Sequence, residues 1–144
     1  IASAILEFKM KEKAAKNENE RGSAGAKMII FLIVVFLIGH AGFNFVPVAY
    51  NGASFKEDMQ TAVIQGTALP TGGDPVGMTK LKLRRAAEAN SIPPDAIIEV
   101  KQVNGGLQAR AVYSKKISII PFGLYSYNYL FDYTATPTGF LAKQ

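Results

Sequence analysis

The chain has 144 residues, no cysteine and a formal net charge of +5. This length leaves room for one small domain with a modest core, and the lack of cysteine excludes a disulfide framework, an iron–sulfur cluster and a thiolate zinc site. The charge divides into +2 over residues 1–27 and +3 over residues 28–144. Such a mild excess in mixed-sign sequence suits lipid headgroups or an acidic partner, and we expect no nucleic-acid binding.

The first segment of the chain is polar. Residues 5–20 are rich in alanine, lysine and glutamate, and they predict a solvated helix or a disordered tail. The segment Arg-Gly-Ser-Ala-Gly at 21–25 then predicts a flexible joint.

The most informative segment is the apolar run at residues 28–46, which contains no charged residue. At about 1.5 Å per residue it covers roughly 28 Å, close to the roughly 30 Å hydrocarbon core of a bilayer. A secretory signal peptide would have a shorter apolar core followed by a small-residue cleavage site, whereas this run ends in Phe-Asn-Phe-Val-Pro at 43–47. We therefore predict a retained, single membrane-spanning helix.

Basic residues indicate the orientation of this helix. Those before it are Lys9, Lys11, Lys13, Lys16, Arg21 and Lys27. The first one after it is Lys56, and positively charged flanks stay cytoplasmic. We expect residues 1–25 as a cytoplasmic helix or tail, 26–46 as the transmembrane helix in the inner or cytoplasmic membrane, and 47–144 as an extracytoplasmic domain, periplasmic in a Gram-negative cell.

Two helices are predicted after the span. Pro47 and the Asn-Gly pair at 51–52 mark a break, and Ser54 followed by Glu57 has the spacing of a capping box that begins a helix ending before residue 69. The second helix is predicted over residues 75–89, since Asp-Pro at 74–75 resembles an N-cap and first helical position. The basic side of the second helix consists of Lys80, Lys82, Arg84 and Arg85. Solvation explains such a side most simply, and contact with an acidic subunit or lipid headgroups is the alternative.

From residue 96 the hydrophobic pattern alternates, which is typical of strands. Strands are predicted at 96–103 and 107–113 around the hairpin turn Asn-Gly-Gly at 104–106. Residues 117–120 continue the second strand or begin another, and the last strand covers 124–133. The predicted fold is an α+β membrane protein, with one transmembrane helix followed by a small two-layer domain of two helices and a three-stranded antiparallel sheet.

Four segments carry a family resemblance: Arg-Gly at 21–22, Leu-Ile-Val-Val at 32–35, Phe-Val-Pro-Val at 45–48 and the terminal hairpin at 117–133. In these the chain resembles an uncharacterised bacterial family of small single-pass membrane proteins, with a pilin-like N-terminal helix and a small outer α+β domain. The resemblance implies an anchored outer domain with no established activity. Type IV pilins carry a glutamate at the fifth position after their glycine cleavage point, whereas counting from Gly22 places Lys27 there, which argues against processing by that route.

The single histidine lies in the outer half of the predicted span. Asn44 follows His40 by one turn on the same face. This pair contacts a neighbouring helix, occupies a hydrated position near the interface, or ligates a haem or chlorophyll-type pigment bound with a larger complex. We favour the helix contact, because Gly39 and Gly42 would allow close approach, and we expect no cofactor otherwise.

Two aromatic or apolar features mark the last hairpin. The turn at 119–124 is apolar, so Ile120, Phe122 and Leu124 either dock on a partner or a bilayer, or fold under the domain's own helices. Alternate positions of the last strand are aromatic: Tyr125, Tyr127, Tyr129, Phe131 and Tyr133. We expect this row to be core rather than a stacking platform for a sugar, quinone or base.

Catalysis has little support in the sequence. A Ser/His/Asp set would have to use His40 inside the membrane, and no nucleophilic cysteine, metal-ligand cluster or phosphate loop is present. We expect a non-enzymatic accessory or structural subunit that docks on other integral membrane subunits and the lipid bilayer, in a multisubunit complex such as a photosynthetic or respiratory assembly. The alternatives are a pilin-like filament or secretion-system component, and an extracytoplasmic ligand-binding domain.

Overall fold

The computed structural model describes residues 1–70 and 72–137, without the side chains of residues 14–22. Its elements are α1 (Ala2–Thr67), α2 (Pro75–Ala89), β1 (Ile97–Val103), β2 (Gly106–Ile120), a short 3-10 helix (Pro121–Gly123) and β3 (Tyr125–Ala135). The predicted α+β class and the three-stranded antiparallel sheet are confirmed, with strand order β1-β2-β3. The chain divides into two compact units, Ile1–His40 and Ala41–Gln144.

The first unit is part of α1, and it carries a run of exposed apolar side chains. From Met28 to Phe36 every side chain exposes between 46% and 66% of its surface. An 18-residue window of α1 has a mean hydropathy of 2.4, and none of that window is buried. This part of α1 is long enough and apolar enough to cross a membrane.

The predicted joint at 21–25, the predicted break at Pro47 and 51–52, and the predicted helix start at Ser54 are wrong, because α1 is a single helix of 66 residues that contains all of them. A proline inside a helix removes one backbone hydrogen bond, but the residues that follow it are held in place by packing on the sheet. Gly52 is buried against the hydroxyl groups of Tyr113 and Tyr129. The glycine at this position therefore serves close packing and does not end the helix.

Turn chemistry fixes the other boundaries as predicted. The Asp74 carboxylate accepts a hydrogen bond from the Gly77 N–H at 2.9 Å, which caps α2 at its predicted start. Asn104 and Gly105 both have positive φ, 51° and 79°, as a tight hairpin turn requires. β2 then continues without a break to residue 120, so residues 117–120 extend the second strand.

Both helices pack on one face of the sheet around a single core in the second unit. Small side chains at Ala109 and Ala111, both fully buried, let the helices approach the central strand closely. The larger core residues are Phe55, Met59 and Val63 of α1, Leu83 of α2, Leu107 and Tyr113 of β2, and Phe131 of β3. This is the predicted two-layer arrangement, and it leaves the other face of the sheet open.

Candidate functional site

An aromatic seam joins α1 to β3. We use this name for Phe45, Gly52 and Phe55 of α1 with Tyr113, Tyr127, Tyr129 and Phe131 of the sheet. The rings of Phe55 and Phe131 have centroids 5.9 Å apart, and those of Phe45 and Tyr127 are 6.4 Å apart. The stretch of α1 from Phe55 back to Phe45 therefore runs alongside the stretch of β3 from Phe131 back to Tyr127. The closed end of the β2–β3 hairpin accordingly lies toward Ala41.

The centre of the seam holds a buried hydroxyl group. Tyr113 is 4% exposed, and its ring stacks on Phe131 at a centroid distance of 4.8 Å. Its hydroxyl oxygen has no hydrogen-bond partner among the described residues. Burial, with a smaller contribution from Tyr129, raises the pKa of Tyr113 to about 12. The group is therefore neutral and inert at physiological pH, which suits packing and not acid–base chemistry.

The hydroxyl group of Tyr133 is hydrogen-bonded to α1. It donates to Gln60 Oε1 at 3.0 Å, and Gln60 Nε2 donates to the Thr136 carbonyl at 2.9 Å. Lys56 Nζ lies 4.5 Å from the centre of the Tyr133 ring. These contacts hold the end of β3 against α1.

The aromatic row thus changes character along β3. The prediction that the row is core is confirmed for Phe131, and Tyr129 and Tyr133 are half-buried against α1. The prediction is wrong for Tyr125 and Tyr127, which expose 54% and 46% of their surface. Tyr125 and Tyr127 are accessible to a ligand, whereas α1 covers the rest of the row.

The hairpin tip, defined as residues 119–125, does not fold under the helices. Phe122 is 99% exposed and Leu124 is 77% exposed, while Ile119 and Ile120 are half-buried. Phe122 also has a φ of 64°, a left-handed backbone conformation that is uncommon outside glycine. An exposed apolar side chain on a strained turn is costly in water, so the tip requires a functional explanation.

The predicted helix-contact residues lie on α1 at the end of the apolar run. His40 is half-buried, with its ring centroid 6.3 Å from that of Phe36, and Asn44 is half-buried as well. A β-carbon added at Gly39 or Gly42 would meet nothing within 4 Å, so the backbone is open there. No group of three or more His, Asp or Glu that could hold a metal ion occurs in the part of the chain that the structure describes.

The basic residues of α2 are spread around its solvent-facing side. At 3.6 residues per turn, Lys80 and Arg84 share one side of the helix, and Lys82 and Arg85 lie on another. Lys82 Nζ also donates to Gln65 Oε1 of α1 at 3.0 Å. Lys82, Arg84 and Arg85 are exposed and Lys80 is half-buried, so a role of these residues in docking stays a prediction.

Sequence reasoning missed the ion pairs on the open face of the sheet. Arg110 donates to both carboxylate oxygens of Asp132, from Nε at 3.0 Å and from Nη2 at 2.7 Å. The hydrogen bond from Arg110 lowers the pKa of Asp132, and the same bond raises the pKa of Arg110. Glu99 and Lys101 form a second ion pair nearby at 3.4 Å. The alternation of β2 and β3 was the available signal, but the pairing depends on their register.

No known protein family, curated protein or solved structure matches this chain.

Proposed function

We propose that this chain is a non-enzymatic, single-pass membrane protein that holds a small outer α+β domain beside other integral membrane subunits. The observation that carries the proposal is the apolar window of α1, whose mean hydropathy is 2.4 and whose residues are all unburied. Covering one large apolar side chain is worth about 1.5 to 3 kcal/mol. Nine consecutive side chains from Met28 to Phe36 are exposed, and a bilayer would cover all of them.

The charges flanking α1 support an orientation. Basic residues are concentrated before the apolar run, and none occurs between Lys27 and Lys56. Cytoplasmic retention of such flanks supports an N-terminus inside the cell and an outer domain in the periplasm, anchored in the inner or cytoplasmic membrane.

The outer end of the apolar run supports contact with a second helix. Polar side chains within a span are expensive in lipid and generally face protein or water, and His40 and Asn44 lie there one turn apart. Open space around Gly39 and Gly42 would let another helix approach closely. At 3.6 residues per turn, the glycine pair lies on nearly the opposite side of α1 from His40 and Asn44. An accessory subunit of a multisubunit complex, such as a photosynthetic or respiratory assembly, would therefore contact neighbouring helices on both sides.

Single cysteines test the anchor and its orientation, because the chain has no cysteine of its own. Ser3→Cys and Ser91→Cys are both at exposed positions, one before and one after the apolar run. A membrane-impermeant maleimide should label position 91 in intact spheroplasts and position 3 only after permeabilisation. Loss of the chain from membranes on carbonate extraction would overturn the anchor, and the reverse labelling would overturn the orientation.

Purification in mild detergent tests the subunit role. Mass spectrometry should find partner subunits in a fixed ratio to the chain. Gly42→Leu should reduce this ratio several-fold, and Ile38→Leu, a change at a neighbouring exposed position, should leave it unchanged. A chain that purifies alone from its native membrane would overturn the role.

A pilin-like filament component is the second candidate. It is supported by the continuity of α1, which is one helix through the apolar window and the residues that pack on the sheet. Lys27 at the fifth position after Gly22 weighs against pilin-type processing. The intact mass of the mature chain separates the two candidates, since cleavage after Gly22 or Gly25 is expected only for the filament component.

A further inference from the structure

We propose that the hairpin tip, residues 119–125, inserts into the outer interface of the same bilayer that holds the apolar part of α1. The outer domain would then have two membrane contacts, the helix and the tip. This inference rests on the proposed function, because it requires α1 to span the membrane.

The surface of the tip is suited to lipid. Its sequence, Ile-Ile-Pro-Phe-Gly-Leu-Tyr, contains no charged residue, and its most exposed side chains are Phe122 and Leu124. Turns of soluble domains are usually polar, and an exposed apolar turn indicates a partner or a membrane. Tyr125, at the start of β3, is of the type that collects at the membrane–water interface.

The aromatic seam shows that the tip lies toward the end of the apolar run of α1, at residues 41–46. The ring of Tyr127 lies against that of Phe45, and β3 continues from Tyr127 back to Tyr125, about 7 Å at 3.3 Å per residue, before the chain turns through the 3-10 helix at Pro121–Gly123. Because the hairpin closes toward Ala41, the tip reaches beyond the level of Phe45. Residues 41–46 are the last part of the apolar run, where the proposed span leaves the hydrocarbon.

Other exposed side chains of the second unit mark the same boundary. Phe43, Val46 and Tyr50 on α1 expose 82%, 62% and 71% of their surface. The first charged side chain after them on α1 is Lys56, and the nearest one on the hairpin is the exposed Lys116, which pairs with Asn128 in the sheet. Asn128 lies between Tyr127 and Tyr129, whose rings are both close to that of Phe45. The hairpin is therefore uncharged from the level of Phe45 to the tip, and this is the part of it suited to lipid.

Lipid is favoured over a protein partner by continuity. The tip and the exposed side chains of Phe43, Val46 and Tyr50 lie toward one end of the second unit, and a bilayer that covers the end of the apolar run would also cover the tip. The tip needs no separate recognition partner under this arrangement.

Depth-dependent quenching tests the proposal on the full chain in phosphatidylcholine–phosphatidylglycerol vesicles. A polarity-sensitive fluorophore on Leu124→Cys should emit at shorter wavelength than in water, and lipids spin-labelled near the headgroup should quench it. The same fluorophore on Asn104→Cys, in the β1–β2 turn, should be unshifted and unquenched. A third fluorophore, on Ile33→Cys, reports the span itself and should be quenched by lipids spin-labelled along the acyl chain.

These positions separate the two proposals. Quenching at 33 without quenching at 124 would overturn the inserted tip and leave the membrane anchor intact, whereas no quenching at either position would overturn both. Phe122→Asp should reduce the quenching at 124 several-fold, and Leu130→Asp, on the open face of the sheet, should not. In native membranes a photo-crosslinking residue at 122 should capture lipid, and a stoichiometric protein crosslink would overturn the proposal.

Discussion

Gly66 of α1 lies directly against Thr79 of α2, and a β-carbon at position 66 would overlap the threonine hydroxyl group and lie 2.5 Å from Leu107 Cδ1. Thr79 and Leu107 are 1% and 2% exposed, so neither has free space into which it can move. The absence of a side chain at position 66 therefore sets the distance between the two helices and the central strand.

Gly66→Ala should lower the free energy of unfolding by about 1 to 3 kcal/mol, the usual cost of overpacking a core, even though alanine favours the helix by up to about 1 kcal/mol. Guanidinium unfolding of the full chain in non-ionic detergent, followed by the near-ultraviolet circular dichroism of the tyrosines, measures this change. Gly42→Ala is the matched control, since nothing lies within 4 Å of a β-carbon there. Equal stability of the two variants would show that α1 and α2 can separate at no cost.

Tyr113→Phe should keep or raise stability, by about 1 kcal/mol, because it removes a buried hydroxyl group that has no partner among the described residues. Tyr133→Phe makes the same chemical change where the hydroxyl group donates to Gln60, and it should lower stability by about 1 kcal/mol. The same unfolding measurement compares them. A clear loss of stability in Tyr113→Phe would mean that an ordered water satisfies the hydroxyl group.

The pKa of Tyr113 also predicts a pH dependence. Because the folded chain holds this proton to a pKa of about 12, against 10.0 for an ordinary tyrosine, the unfolded chain releases it first, and stability should fall as the pH rises from 10 to 12. Below pH 10 the proton contributes no pH dependence. Absorbance at 295 nm should show one of the six tyrosines ionising after the others. Tyr113→Phe should abolish this late step, whereas Tyr125→Phe should not.

Local sequence signals predicted the elements that local chemistry determines. Asp-Pro at 74–75 located the start of α2, and Asn-Gly at 104–105 located the hairpin turn, because capping and positive φ are properties of a few adjacent residues. The continuity of α1 could not be predicted in this way. Pro47 and Gly52 are break signals in isolation, and only the tyrosines of the distant sheet strands show that Gly52 is a packing position.

Two features of the candidate sites also depend on tertiary structure and could not be predicted from adjacent residues. Exposure of Phe122 was one of two open alternatives, since an apolar turn can fold inward or outward and the choice depends on how far the hairpin extends past the core. The pairing of Arg110 with Asp132 depends on the register of β2 with β3, in which Arg110 lies opposite Thr134 and Asp132 opposite Val112. Neither fact is present in the spacing of the residues along the chain.

The Arg110–Asp132 pair gives a prediction at acid pH. Because the guanidinium group lowers the pKa of Asp132 in the folded chain, this pair's contribution to stability should be complete above the ordinary carboxyl pKa of 3.8 and should be lost as the pH falls through the lowered pKa. Carbon-13 NMR of the Asp132 carboxyl group should give a midpoint below 3.8. Arg110→Gln should bring the midpoint back to the ordinary range, and Lys101→Gln, which removes the neighbouring cation, should leave it low. Because both partners are exposed, high salt should weaken the effect. A midpoint that is the same in wild type and Arg110→Gln would contradict the bidentate contact in solution and leave the open face of the sheet with separate, solvated charges.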